Sequence, residues 1–206
     1  QGANSGEDSD TDVVGSSTFN AANTQQLFVS ATLENFWETG LRTDLHIGRI
    51  NMDIGSRRLV ARSRFPNTSQ PFDGIHWRLA KTNEWFFRAF FSEVVTNRDT
   101  TGRLGLFTNE GNYFWGLSYE NAHFPWARTQ LYYYGRDDEG KDGGTERQHS
   151  TVGIRVYQRP DIGAYDFEAE SAWQFGTLDN MDHFAFFQHI SLGYTFAFPW
   201  SPRILA

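Results

Sequence analysis

The chain has 206 residues, no cysteine and a net charge of -7, with 18 Lys+Arg against 25 Asp+Glu. The lack of cysteine excludes a disulfide framework, a thiolate zinc site and a thiol nucleophile, and the acidic balance without a basic run argues against a nucleic-acid partner. An aromatic content of 17 % excludes wholesale disorder, and no apolar stretch approaches the roughly 18–20 residues of a membrane-spanning helix.

The N-terminal residues 1–23 are rich in Ser, Gly, Asn and Asp and have no apolar periodicity, so they predict a polar loop or a frayed terminus. From residue 24 to residue 206, apolar and polar residues alternate in one run after another. Side chains two positions apart share one face of a strand, so each run predicts an amphipathic β-strand. The clearest runs are, in chain order, residues 27–34, 73–79, 85–92, 113–120, 128–136, 147–156, 165–175 and 184–196.

Two weaker runs, residues 44–52 and 103–107, complete a set of about ten strands. In the first of them Arg49 would fall on the apolar side, which either a bulge at Gly48 or a strand that ends there would correct. Turn signals separate the runs, for example at residues 109–112. Strands in hairpin series, without a helical period between them, predict an antiparallel up-and-down meander.

Alternation does not separate a soluble sandwich from a membrane barrel, so strand length and the contents of the two faces must decide. The runs at residues 161–176 and 182–198 exceed ten residues, whereas strands of soluble proteins are mostly about 5–6 residues long and tilted membrane strands about 9–11. Arg and Glu in mid-strand would be costly inside a small packed barrel but stay hydrated in a wide, wet lumen. The sequence therefore predicts an all-β, antiparallel up-and-down transmembrane β-barrel, with a soluble β-barrel or sandwich binding protein as the alternative.

An ordered series of short motifs gives the chain a family resemblance. The motifs are, in order, Ile47-Gly48-Arg49, Gly55-Ser56-Arg57-Arg58-Leu59-Val60, Phe72-Asp73-Gly74-Ile75, Leu131-Tyr132-Tyr133-Tyr134, Arg147-Gln148-His149-Ser150-Thr151-Val152-Gly153, Tyr165-Asp166-Phe167-Glu168-Ala169-Glu170 and Gly193-Tyr194-Thr195-Phe196. The series covers most of residues 45–206 and resembles the alginate-export family of Gram-negative outer-membrane barrels. The chain departs from that family at Ile50, where the family favours Gln.

The resemblance implies a larger barrel than ten strands build, of which this chain looks like an internal section, incomplete at its C-terminus. Residues 201–205 resemble the start of the next strand of the family. The resemblance also implies residence in the outer membrane of a Gram-negative cell, in contact with lipid and lipopolysaccharide, with a periplasmic export machinery as a further partner. The predicted division is a terminal segment, residues 1–23, followed by barrel strands over residues 24–206.

The polar faces of the predicted strands, together with the basic motif segment, carry the candidate functional residues. Rings of Arg favour anions, because a fixed positive field lowers the cost of shedding water in a constriction, and Arg binds carboxylates bidentately. The basic candidates for the substrate path are Arg49, Arg57, Arg58, Arg64, His76, Arg78, Arg88, Arg128, Arg147 and Arg155. The candidates for an acidic brace are Glu34, Glu120, Asp166, Glu168 and Glu170.

This pattern and the resemblance together predict passive passage of an alginate-like anionic polysaccharide, or of a smaller anionic solute, through an Arg-lined lumen. The alternative is that the charges are ordinary solvated lumen residues of a general, non-selective porin. Residues 53–72 are either a loop that contributes to a constriction or an ordinary basic hairpin. That segment contains Arg57, Arg58, Arg62 and Arg64.

Glu168 and Glu170 share one strand face, about 6.5–7 Å apart by backbone rise, a separation within the range of catalytic carboxylate pairs in glycosidases. Nothing in the sequence around them indicates a raised pKa for either carboxyl group. A brace to the basic residues of the stretch 147–155 is therefore favoured over an acid and nucleophile pair. Neither an enzyme activity nor a cofactor or metal site is expected.

Overall fold

The computed structural model describes residues 26–61, 71–96, 107–140 and 144–206. No helix in these ranges has the length and apolar character needed to span a membrane. The strands are β1 Leu27–Phe36, β2 Leu41–Ile50, β3 Phe72–Lys81, β4 Trp85–Thr96, β5 Phe107–Phe124, β6 Ala127–Asp138, β7 Arg147–Tyr157, β8 Tyr165–Leu178, β9 Met181–Thr195 and β10 Arg203–Leu205. The predicted terminal segment 1–23, residues 103–106 of a weaker strand candidate and Arg64 lie outside the described ranges.

Each strand pairs antiparallel with the next, so the ten described strands form one sheet in the order β1 to β10. In the described part of the chain the sheet is not closed, and β1 and β10 form its two edges. The all-β, up-and-down meander predicted from alternation is confirmed. An open sheet of this topology is consistent with part of a β-barrel.

The long strands have other limits than the alternation predicts. β8 begins at Tyr165 rather than at residue 161, because Pro160 and the turn after it form the connection from β7. β9 ends at Thr195, where the amide of Gly163 donates a hydrogen bond of 2.8 Å to its carbonyl. The chain then turns back, and β10 pairs with β9 in the segment where the sequence predicts a further strand.

The turn predicted at residues 109–112 lies inside β5 instead. Glu93 pairs with Tyr113 and Val95 with Thr108, so four residues of β5 stand opposite Val94 alone. Gly111 adopts φ 85° at this bulge, a conformation that suits glycine. The turn-forming residues therefore bend one long strand rather than separate two strands.

β2 also differs from both alternatives that the sequence offers at Gly48. Its pairing with β3 runs without a register shift through Gly48 to Ile50, so neither a bulge nor a strand end occurs there. Arg49 consequently stays on the apolar side. Its guanidinium donates two hydrogen bonds of 2.6 Å to the carboxylate of Asp73, which neutralises the charge locally.

One face of the sheet, here called the apolar face, exposes large hydrophobic side chains along every strand from β1 to β10. On β9, Phe184, Phe186 and Ile190 are 68 %, 65 % and 82 % exposed. Soluble proteins rarely leave a contiguous apolar surface of this extent uncovered. The exposure favours a transmembrane sheet in lipid over the soluble alternative.

The opposite face, here called the loop face, is covered in part by residues 51–61, which follow β2 and are called the β2–β3 loop. Met52, Ile54 and Val60 of this loop are buried together with Phe90 and Tyr134 of the sheet. The hydrophobic core therefore lies between the sheet and its own loop. This arrangement fixes the loop over the middle of the loop face.

Candidate functional site

The β2–β3 loop forms a tight hairpin over the sheet. Ile54 and Val60 form an antiparallel bridge, in which the Ile54 amide donates a hydrogen bond of 3.0 Å to the Val60 carbonyl. Gly55 has φ 61°, and an added Cβ would lie 2.9 Å from Oε1 of Gln130 on β6. Only glycine gives the backbone this conformation and this close approach without strain. Apolar packing holds the loop against the sheet, and the absence of a side chain at Gly55 lets the loop approach Gln130 closely.

A charge network ties the loop to β6, β7 and β8. Arg58 donates hydrogen bonds to Glu168 and, at 2.5 Å, to Glu170. Arg155 on β7 donates a hydrogen bond of 2.9 Å to Glu168. The Tyr132 hydroxyl donates one of 2.9 Å to Glu170, whose side chain is 2 % exposed. This set, called the loop anchor, holds the loop across the sheet.

Arg58 remains a fixed cation within the loop anchor. Burial by itself lowers the pKa of Arg58, but hydrogen bonds to Glu168 and Glu170 and their negative charges raise it overall. The neighbouring Arg57, at φ 67°, forms an ion pair of 3.3 Å with Asp53 of the same loop. The loop thus brings two guanidinium groups, both paired with carboxylates, over the face.

A second basic cluster lies on β2, β3 and β4, on the other side of the loop. Arg88 donates one long hydrogen bond of 3.5 Å to the carbonyl of Asp53 and makes no ion pair with a described residue. The guanidinium groups of Arg78 and Arg88 lie over the ring of Phe86, 4.8 and 5.7 Å from its centre. A cavity of about 190 Å³ separates this cluster from the loop. Asp44 on β2 lies 4.0 Å from Arg78 and pairs also with Arg42, so Arg88 is the cation of this cluster that no described carboxylate pairs with.

A third group lies where β5 and β7 end and β6 begins. Arg128 and the Tyr157 hydroxyl both donate hydrogen bonds to Oε1 of Glu120, at 3.3 and 2.9 Å. The guanidinium of Arg155 lies 3.9 Å from the centre of the Tyr157 ring. Glu120 therefore balances the positive charge of this end of the face.

The strand register brings most of the predicted site residues to the loop face. These strand residues are His76, Arg78, Arg88, Arg128, Arg147, Arg155, Glu34, Glu120, Asp166, Glu168 and Glu170. Arg57 and Arg58 reach the same face from the β2–β3 loop. Arg49 does not, because it lies on the apolar side with Asp73.

Sequence reasoning missed Tyr132 and Arg203, which bond to Glu170 and Asp166. The signal for Tyr132 was the run of three tyrosines from 132 to 134. With Tyr133 on the apolar face, its two neighbours must lie on the other one. No signal in the sequence pairs Arg203 with a residue on β8.

In the described ranges, no three His, Asp or Glu side chains are grouped so that they could hold a metal ion. Comparison with models of protein families matches residues 4–206 to the family described as Alginate export. No curated protein and no solved structure matches the chain.

Proposed function

Because the chain belongs to the alginate-export family, we propose that it builds a channel for passive passage of an anionic polysaccharide, or of a smaller anionic solute, through the outer membrane. The family consists of outer-membrane β-barrels that transport rather than catalyse. In this proposal the loop face lines an aqueous lumen and the apolar face contacts lipid and lipopolysaccharide. The membrane is the outer membrane of a Gram-negative cell.

The contrast between the two faces supports this placement. Ile47, Ile75 and Phe91 lie side by side on β2, β3 and β4 and are 49 %, 49 % and 55 % exposed. The alternate positions of β3 and β4 place His76, Arg78 and Arg88 on the loop face. A barrel wall needs this arrangement, with apolar side chains toward lipid and polar side chains toward water.

The observation that carries the proposal of a selective path is the β2–β3 loop, which lies across the loop face with its arginines. Arg57 and Arg58 come from the loop, and Arg88 faces the loop from β4. A loop inside a lumen narrows the path and exposes a passing ion to these charges at short range. A fixed positive field in a constriction favours anions.

Passage requires binding that is weak as well as selective. Arg can hold the carboxylate of a uronate sugar through two parallel hydrogen bonds. Glu168 and Glu120 partly neutralise Arg155 and Arg128, so these two arginines would bind a passing carboxylate weakly. The polymer would move from one arginine to the next without any covalent step.

Glu168 and Glu170 have the arrangement of a brace rather than of a catalytic pair. Both carboxylates accept hydrogen bonds from Arg58, and each has a second donor in Arg155 or Tyr132. A general acid must lie within hydrogen-bond reach of a bound substrate, whereas these bonds direct both carboxylates to donors of the protein itself. Transport without chemistry is the function that this geometry supports best.

The test is ion selectivity in planar bilayers, measured as the reversal potential across a KCl gradient with the closed barrel to which these strands contribute. We expect the wild-type channel to prefer chloride, and the Arg78→Gln, Arg88→Gln double variant to lose several-fold in the anion-to-cation permeability ratio. Lys81→Gln is the matched control, since it removes a positive charge from an exposed residue that pairs with Glu84. Equal ratios in wild type and double variant would instead establish a non-selective porin.

A further inference from the structure

The connections at one end of the sheet, here called the short-turn end, have between two and seven residues. The β3–β4 turn has three residues, 82–84, and the β5–β6 turn has two, Pro125 and Trp126. The β7–β8 connection, residues 158–164, lies at the same end. The long β2–β3 connection and the two-residue β8–β9 turn, Asp179 and Asn180, lie at the opposite end, because successive strands run in opposite directions.

A groove of about 390 Å³ opens at the short-turn end, between the β5–β6 and β7–β8 connections. Ligand pockets typically measure about 300–1,000 Å³ and combine apolar walls with a few polar groups. One wall carries Phe124 and Trp126, which are 49 % and 58 % exposed with ring centres 5.8 Å apart. Arg159 of the β7–β8 connection also lines the groove. The groove therefore combines two exposed aromatic rings, tilted by 42° to each other, with a cation.

The floor of the groove is already balanced in charge. Arg128 and Tyr157 line it, and both are hydrogen-bonded to Glu120. Asp161 also lines the groove, but its carboxylate accepts a hydrogen bond of 2.8 Å from the Ile162 amide. Arg159 is exposed and forms no ion pair with a described residue. It is thus the cation of the groove that an anionic ligand can engage without displacing a carboxylate.

We propose that this groove binds a single uronate residue of an acidic polysaccharide. The apolar C–H face of the pyranose packs on Trp126, and the carboxylate of the sugar accepts hydrogen bonds from Arg159. A neutral sugar would contact only the aromatic rings, and a small inorganic anion would bind only to the arginine. The combination selects a ring that is apolar on one side and charged at its edge.

The position of the groove adds a binding step to the proposed function, on which this inference rests. Short turns face the periplasm in bacterial outer-membrane barrels. A polymer that leaves the cell would reach the short-turn end before it reaches the β2–β3 loop. The groove is then a docking subsite that holds one sugar residue at the entrance and presents the following residues to the arginines of the loop face.

The test is a calorimetric titration of the full chain, refolded in detergent micelles, with a linear uronate trisaccharide. We expect Trp126→Ala and Arg159→Gln each to weaken binding about tenfold, the loss typical of one charge-assisted or aromatic contact, and Arg159→Lys to weaken it less. Trp37→Ala is the matched control, since Trp37 is an 83 % exposed tryptophan in the β1–β2 turn at the same end. A neutral trisaccharide of equal length should bind more weakly than the uronate.

Wild-type affinity for the uronate in both groove variants, equal affinity for the neutral trisaccharide, or no binding by the wild-type chain would overturn the subsite. Chloride selectivity in bilayers would be unaffected by those results, because it depends on Arg78 and Arg88. Conversely, a non-selective channel that still binds the uronate trimer through Trp126 and Arg159 would overturn the selective path and keep the groove.

Discussion

At the scale of single residues, Glu170 is a carboxylate on the loop face that is held almost completely away from solvent. Its side chain is 2 % exposed, and it accepts hydrogen bonds from Arg58 and Tyr132. A buried carboxylate that loses its cation keeps the full cost of its lost hydration, so breaking such a pair destabilises more than the pair itself contributes. Arg58 should therefore matter for folding as well as for selectivity.

We expect Arg58→Ala to lower the free energy of unfolding by about 1–3 kcal/mol, less than a fully buried pair would lose, because the Arg58 side chain is 33 % exposed. Urea unfolding in micelles, followed by tryptophan fluorescence, measures this change. Arg57→Ala is the control and should cost at most about 1 kcal/mol, since its pair with Asp53 is more accessible to solvent.

A second variant separates the charge effect from general damage to the loop. Adding Glu170→Gln to Arg58→Ala removes the uncompensated buried charge, so the double variant should recover part of the lost stability. If Arg58→Ala and Arg57→Ala destabilise equally, the loop anchor has no special role in folding.

At the scale of elements, the β2–β3 loop is held by packing as well as by charge. Ile54 and Val60 are 4 % and 3 % exposed, whereas their loop neighbour Leu59 is 42 % exposed. The loop therefore has an apolar side that faces the sheet and a side that faces solvent. Loosening the apolar side should free the loop from the face without removing any charge.

We expect Val60→Ser to raise the single-channel conductance, on the order of twofold, and to increase open-channel noise, because a detached loop no longer narrows the path at a fixed position. Planar bilayer recordings at one salt concentration measure both quantities. Leu59→Ser is the control in the same loop and should leave the conductance at the wild-type value. Identical traces for the two variants would contradict a constriction at this loop.

At the scale of the whole molecule, the ten described strands leave two open edges. β1 exposes Leu27, Val29 and Leu33 along its length, at 73 %, 76 % and 55 %. A closed barrel has no such edge and resists denaturing detergent, whereas an open sheet offers unpaired backbone groups to other chains. Closure therefore decides how the chain behaves in detergent.

We expect the 206-residue chain, refolded in detergent, to migrate identically with and without boiling on a denaturing gel. The reason is that β1 and β10 are not paired with each other. A closed outer-membrane barrel on the same gel serves as the positive control. A heat-dependent shift of this chain would mean that its ten strands close on their own into a narrow pore, which would weaken the proposal of polysaccharide passage.

Strand positions and faces could be predicted from the sequence, because alternation is a local property of the backbone. Once the strands are known to pair in order, Arg88, Arg155 and Glu168 must share a face. The limits of strands were less predictable, as the turn residues 109–112 illustrate. A glycine with polar neighbours can form a bulge or a turn, and only the pairing of neighbouring strands distinguishes the two.

By itself, the sequence determined the all-β class, the up-and-down order, the split into a polar and an apolar face and the family. Only the tertiary structure decided that the β2–β3 loop lies over the sheet and that Arg58 meets Glu168, 110 positions away in the chain. It also decided that Arg49 stays on the apolar side with Asp73. Periodicity reports on neighbours along one strand, whereas these contacts depend on how the sheet curves and on which surface a loop can bury.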